Sequence, residues 1–171
     1  MMKRIMLVLL ALLCLALCAC TPKNQYVDNV ASGQIADSVV AAIGKSEDYM
    51  SADADHYDFY FGESEAYAKV VDCAIMFSRA ETDVNEFGIF RTKSASDTGA
   101  VRDMVQNYLD DQTANLRSFA ANYSPEDMAK IDNAGIEVYG CYVVYYILDA
   151  EDEASALADI QSSLLLQKMT E

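Results

Sequence analysis

Cys14, Cys18 and Cys20, three of the chain's five cysteines, fall within seven residues. Thiols this close are candidates for a metal site, a disulfide framework or a point of covalent modification. A zinc-type site needs further Cys or His ligands, and the chain has no CxxC pair elsewhere and a single histidine, His56. His56 lies in SADADHYDFY (51–60), a polar segment that reads as exposed, so no catalytic role is assigned to it. The GxSxG, HExxH, SxxK and P-loop patterns are absent. DADHYD (53–58) is the nearest approach to a calcium loop. Counted from Asp53, the required Gly and Glu positions hold Asp58 and Ser64, so it reads as a solvated acidic loop. The 27 acids allow many carboxylate pairs and single out none.

The surroundings of the cysteine cluster settle what it is expected to be. Lys3 and Arg4 precede an uncharged apolar run, Ile5 to Leu17, which is short for a bilayer span of roughly 20 residues. A basic start and an apolar core of this length form the pattern of a secretory signal peptide. The run ends in Leu17-Cys18-Ala19-Cys20, which resembles a bacterial lipobox with Cys20 as the lipidated residue. The alternatives are an ordinary cleaved signal peptide and an uncleaved anchor. The expected organisation is a signal peptide over 1–19, lipidated Cys20 with a short tether over 20–31, and one domain over 32–171.

Removal of Lys3 and Arg4 takes the formal net charge from −15 to −17. A surface of that sign repels nucleic acid, whose binding depends on Lys and Arg at phosphates, and it also repels anionic lipid. The lipid is therefore expected to hold the protein at the membrane. Cys73 and Cys141 are left in the body of the chain. Both lie in strand-like runs and read as buried free thiols in preference to a disulfide, which spacing alone leaves open. Eleven tyrosines with no tryptophan form the other excess. Tyr139, Tyr142, Tyr145 and Tyr146 crowd one hairpin, either covering core and sheet or forming a candidate binding face.

The elements that must carry these groups follow from periodicity. Ile35, Val39, Val40 and Ile43 predict a helix over 32–43, with Gly44 as its C′ residue. Residues 45–58 read as a polar loop with a helical turn, and Phe59-Tyr60-Phe61 as aromatic cover for the core. KVVDCAIMFS (69–78) and VNEFGIFRTK (84–93) predict an antiparallel hairpin, although 64–76 also fits a helical stripe. Apolar residues from Val101 to Tyr123 mark a helix of about seven turns, capped by Ser96 or Asp97. Ser124-Pro125 opens a short helix to about residue 132. Residues 135–148 form a second hairpin, whose CYVVYYIL (141–148) is apolar on both faces and reads as a covered central strand or as one wall of a pocket. Glu151-Asp152-Glu153 starts a last helix with Leu157, Ile160, Leu164 and Leu165 on its stripe. The expected fold is α+β: a two-layer sandwich of a four-stranded, mainly antiparallel sheet in ββαββα order. Its helices pack on one face, and an N-terminal helix precedes it.

Glu86-Phe87-Gly88-Ile89-Phe90, a long helix leading to NYSPEDMAKI (122–131), and YGCYVVYYILD (139–149) before an acidic helix occur here in order behind a lipobox. This arrangement resembles the small bacterial lipoproteins of domain-of-unknown-function family 4358, over about residues 32 to 165. Tyr123-Ser124-Pro125 matches that family's Y-x-P element and Gly140-Cys141-Tyr142 its G-x-Y element. The two cysteines are no part of the pattern. The resemblance implies an extracytoplasmic α+β lipoprotein and brings no activity, cofactor or catalytic residue.

The function expected is a non-enzymatic binding module, lipid-anchored at the outer face of the cell membrane and meeting an unknown envelope protein or peptide. It is expected to use no cofactor, no metal and no nucleic acid. The alternative is a small envelope hydrolase built on carboxylates.

Overall fold

The structure, a computed structural model, describes residues 26–45, 47–80 and 82–165. Helix α1 (Ser32–Ile43) ends where the sequence places its stop, at Gly44 with φ 77°, a conformation that costs glycine little. Strand β1 (Tyr49–Ser51) and helix α2 (Ala54–Phe61) follow. Strands β2 (Val70–Ser78) and β3 (Glu86–Thr92) form the first hairpin. Helix α3 (Thr98–Tyr123) leads through a 3₁₀ turn at Pro125–Asp127 into α4 (Met128–Asp132). Strands β4 (Gly135–Tyr139) and β5 (Tyr142–Ile147) form the second hairpin, and α5 (Ala150–Leu164) closes the described chain.

The fold is α+β with a five-stranded antiparallel sheet in the order β1-β2-β3-β5-β4. Two expectations are corrected. The sheet has five strands where four were expected, because the segment read as a polar loop contributes β1. Three residues give too little alternation to reveal a strand. Helices also cover both sheet faces where one was expected. α1 and α5 pack on the face of Tyr142, Val144 and Tyr146. α2, α3 and α4 pack on the face of Val143, Tyr145 and Ile147. The reason is β5 itself, buried at all six positions. Each fully buried large apolar side chain contributes about 1.5–3 kcal/mol, so neither face can be left wet.

Smaller differences have local causes. Residues 70–78 are strand, not helix, and a register irregularity between Val70 and Asp72 turns Val71 out to solvent while Val70 and Cys73 pack on one side. Asp97 occupies the N-cap of α3, but its side chain accepts from Ser94 Oγ (2.6 Å) and makes no capping bond. In α5 the cap is Asp149, accepting from the amides of Glu151 and Asp152. Of the aromatic trio in α2 only Phe61 enters the core; Phe59 is 79% exposed.

The tether assignment overlaps the described chain at residues 26–31, and these lie on the domain. Tyr26 forms an antiparallel bridge with Leu165, Val27 N donates to Leu164 O (2.8 Å), and Val30 is held through N and O by the Tyr142 hydroxyl. Asp72 of β2 accepts from Ser32 N and is ion-paired with Arg91, so a strand carboxylate meets the first turn of α1. The signal peptide and Cys20 lie outside the described residues.

Candidate functional site

Asn85, the last residue of the β2–β3 connection, and Glu86, the first of β3, build two polar constellations on opposite sides of the sheet. Glu86 Oε1 accepts from the hydroxyls of Tyr108 (2.6 Å, from α3) and Tyr145 (2.5 Å, from β5). Tyr145 reaches it by lying across Gly88: a Cβ at Gly88 would fall 2.2 Å from the Tyr145 ring. Burial, and then the Glu86 charge, push both phenols well above their ordinary pKa, so they remain hydrogen-bond donors. Tyr108 Oη also lies 3.3 Å from His56 Nε2. The His56 ring packs beside Tyr60 and Phe77. In this constellation the two phenols are buried and paired, while Glu86 and His56 are half-buried.

The second is an open cleft of about 600 Å³ at the end of the sheet, a volume in the ordinary range of ligand sites. Lys45 comes to it from beyond α1, Tyr49 from β1, Lys130 from α4 and Asp149 from the cap of α5. The β2–β3 connection adds Arg79, Asp83 and Asn85, and Asp48 lies at the rim. Two cations are tied down. Lys45 Nζ meets Asp152 at 2.6 Å, and Lys130 Nζ meets Asp83 and Asp127 at 2.7 and 2.9 Å. Burial pushes the Asp83 carboxyl up, but hydrogen bonds from Lys130 and Ser78 and the Lys130 charge carry it below the usual range. Lys130 is lowered by burial and raised further by Asp83 and Asp127, and so stays charged.

Two polar atoms without partners among the described residues belong to side chains of this cleft. Four buried side-chain polar atoms lack a hydrogen-bond partner among the described residues, and two of them, Tyr49 Oη and Asn85 Oδ1, line this cleft. Their residues are only 3% and 5% exposed, so bulk water does not compensate them, and each such group costs about 1–3 kcal/mol. The Asn85 side chain lies close enough to the Tyr49 hydroxyl to oppose the rise in its pKa, although the two fall short of full hydrogen-bond geometry. Burial first, then Asp152 and Asp83, raise the Tyr49 pKa and keep its proton on.

The four tyrosines of the candidate binding face do not gather on one exposed surface. Tyr142 and Tyr146 are buried under α1 and α5, Tyr145 is buried on the opposite face, and Tyr139 is half-buried against Tyr26. Burial and Glu153 push Tyr146 up to about 12. His56, expected in solvent, is half-buried in the Glu86 constellation. Asp53 of the acidic segment caps α2, accepting from His56 N at 3.0 Å. Cys73 and Cys141 are free, half-buried thiols whose pKa burial raises. Among the described residues no group of three His, Cys, Asp or Glu side chains is placed to hold a metal ion, and no helix is long and apolar enough to cross a membrane. Sequence reasoning missed Tyr49 because it lay in a presumed loop. Asn85 carried one signal, a polar residue adjoining Glu86 just ahead of the apolar run Phe87–Phe90.

The stretch from Ala66 to Leu148 matches the model of a family described as Domain of unknown function (DUF4358). Residues 66–148 belong to this family. That span is shorter than the resemblance over 32–165 and holds β2 to β5 with α3 and α4 between them. It includes Glu86, Tyr108 and Tyr145, and it includes Arg79, Asp83, Asn85 and Lys130 of the cleft. Lys45, Asp48, Tyr49, His56 and Asp149 come from the flanking elements. No curated protein and no solved structure matches the chain.

Proposed function

We propose that this DUF4358 protein is a lipid-anchored, extracytoplasmic binding module of the bacterial envelope that holds a polar ligand in the cleft between Tyr49, Asn85 and the β2–β3 connection. The observation that carries it is the pair of buried, unpartnered polar atoms in that cleft, Tyr49 Oη and Asn85 Oδ1. A stable core seldom leaves such atoms unpaired, whereas a ligand site keeps them for its occupant. The anchoring rests on the basic start, the apolar run and Leu17-Cys18-Ala19-Cys20.

A binding role fits the acids better than hydrolysis does. A general acid needs a raised pKa. Asp83 is held below the usual range, Asp152 is spent on Lys45, and Asp149 caps α5.

The test is native mass spectrometry of the full chain extracted from its own membrane. A small-molecule adduct is expected, and it should be lost in Asn85→Leu and in Tyr49→Phe. An adduct-free wild type, or one indifferent to both changes, overturns the cleft as the binding site. Turnover of ester, amide or glycoside substrates that Asp48→Asn or Asp149→Asn abolishes would replace binding by hydrolysis. For the anchor, Cys20→Ala should abolish incorporation of labelled palmitate and release the chain from the membrane fraction. Unchanged labelling would show that Cys20 is not the lipidated residue.

A further inference from the structure

The charges around the cleft are matched in number but not in state. Lys45, Arg79 and Lys130 face Asp48, Asp83 and Asp149. Lys45 and Lys130 are neutralised by carboxylates at 2.6–2.9 Å, and Asp149 accepts two amides at the start of α5. That leaves one lining cation and one lining anion with no side-chain partner among the described residues, Arg79 and Asp48. A single backbone bond, Arg79 N to Asp48 O at 2.7 Å, fixes them as neighbours at the rim. The same cleft is lined by Asn85 and Tyr49, whose Oδ1 and Oη are buried and unpaired among the described residues.

Resting on the binding function above, we propose that the ligand of this cleft is a zwitterion of the amino-acid or short-peptide class. Its carboxylate lies on Arg79, whose planar guanidinium donates two parallel hydrogen bonds to such a group. Its ammonium lies on the exposed Asp48 carboxylate, which only accepts hydrogen bonds, in a cleft that Asn85 and Tyr49 help to line. The charge pattern selects against the alternatives. A purely anionic ligand would meet a chain of net charge −15 and two cations already neutralised. A purely cationic one would have no reason to prefer this cleft over the rest of an acidic surface. A neutral sugar would leave Arg79 and Asp48 unused. The volume of about 600 Å³ admits a peptide of a few residues.

The experiment is isothermal titration calorimetry of the detergent-extracted full chain with alanyl-alanine, its N-acetyl derivative, its C-terminal amide, and glucose. Saturable binding of alanyl-alanine is expected, weakened about tenfold or more by either blocking group and by Arg79→Gln or Asp48→Asn, since a hydrogen bond to a charged group contributes at least that factor. Both variants alter exposed side chains, and circular dichroism should be unchanged. Equal binding of the acetylated form overturns the ammonium site, and equal binding of the amide overturns the carboxylate site. Binding of glucose with no alanyl-alanine heat, or no alanyl-alanine binding at all, overturns the zwitterion. In that case an adduct still lost in Asn85→Leu leaves the binding function standing, and the absence of any adduct removes both.

Discussion

Asn85 and Glu86 are neighbours in the chain, and strand alternation sends them into opposite environments. Glu86 enters a cluster in which two phenols donate to its carboxylate beside a histidine. Asn85 enters an open cleft in which its own oxygen and the Tyr49 hydroxyl have no full hydrogen-bond partner among the described residues. Both sites bury a tyrosine beside a polar group. A paired buried network stabilises one arrangement of the core, whereas an unpaired one lowers stability and is retained where something else completes it. The same residue types therefore serve structure on one side of β3 and recognition on the other.

The sharpest way to break this contrast is Gly88→Ala. Its Cβ would lie 2.2 Å from the Tyr145 ring, displacing the ring and with it the bond to Glu86. A loss of about 3 kcal/mol is expected in urea denaturation, and a loss under about 1 would show that Tyr145 can lie elsewhere. Glu86→Ala comes next. It strands two buried phenol donors and should cost about 2 kcal/mol, while Glu86→Gln, which keeps an acceptor, should cost less. Indifference to both changes would mean that the Glu86 cluster is not structural.

The third test is Lys130→Met, worth about 1 kcal/mol near neutral pH because the ion pairs are partly exposed. Its pH dependence has a definite sign. Asp83 sits below 3.8 in the fold, so its contribution is present above about that pH and is lost as pH falls through the folded value. Lys130 sits above 10.5, so its contribution is present below that and is lost as pH rises through the folded value. The variant should therefore lose the Asp83 part of the acid destabilisation seen in wild type, as followed by thermal melts from pH 2 to 7 (roughly one unit apart). A variant as acid-sensitive as wild type would show that Lys130 does not set the Asp83 shift. The smallest effect has the opposite direction. Tyr49→Phe removes an unpartnered buried hydroxyl, so stability should hold or rise by up to about 1 kcal/mol while the adduct disappears. A loss above about 1 kcal/mol would show the hydroxyl to be paired, and the contrast with Glu86 would fail.

Much of the scaffold was legible because the residues that build it repeat. The helical stripe from Val101 to Tyr123, the two-sided apolar run of β5 and the Gly44 stop each state one element in a local pattern. Cover on both faces was also present in β5, since a strand buried at every position needs two layers around the sheet. It was missed by assigning all helices to one side. The sites were less legible, for a physical reason. Glu86, Tyr108 and Tyr145 are 22 and 59 residues apart in their bonded pairs, and Tyr49 meets Asn85 only because β1 pairs with the end of β2. No local spacing encodes such meetings. The four hairpin tyrosines showed the converse. Their crowding in sequence was real, but alternation divided them between two cores.

The bridge between Tyr26 and Leu165 gives the molecule a polarity. α5 runs from Asp149 at the cleft to Leu164 beside the N-terminal segment, and its 15 residues span about 22 Å. β3 runs the same course, from Asn85 at the cleft to Arg91, which donates to Asp28 O. The chain thus enters the domain at one pole and opens its cleft at the other. Under the proposed lipidation of Cys20, the helix acts as a mast. Such an anchor would put the Tyr26 pole toward the bilayer and leave the cleft at the far end of the domain, about one helix length away.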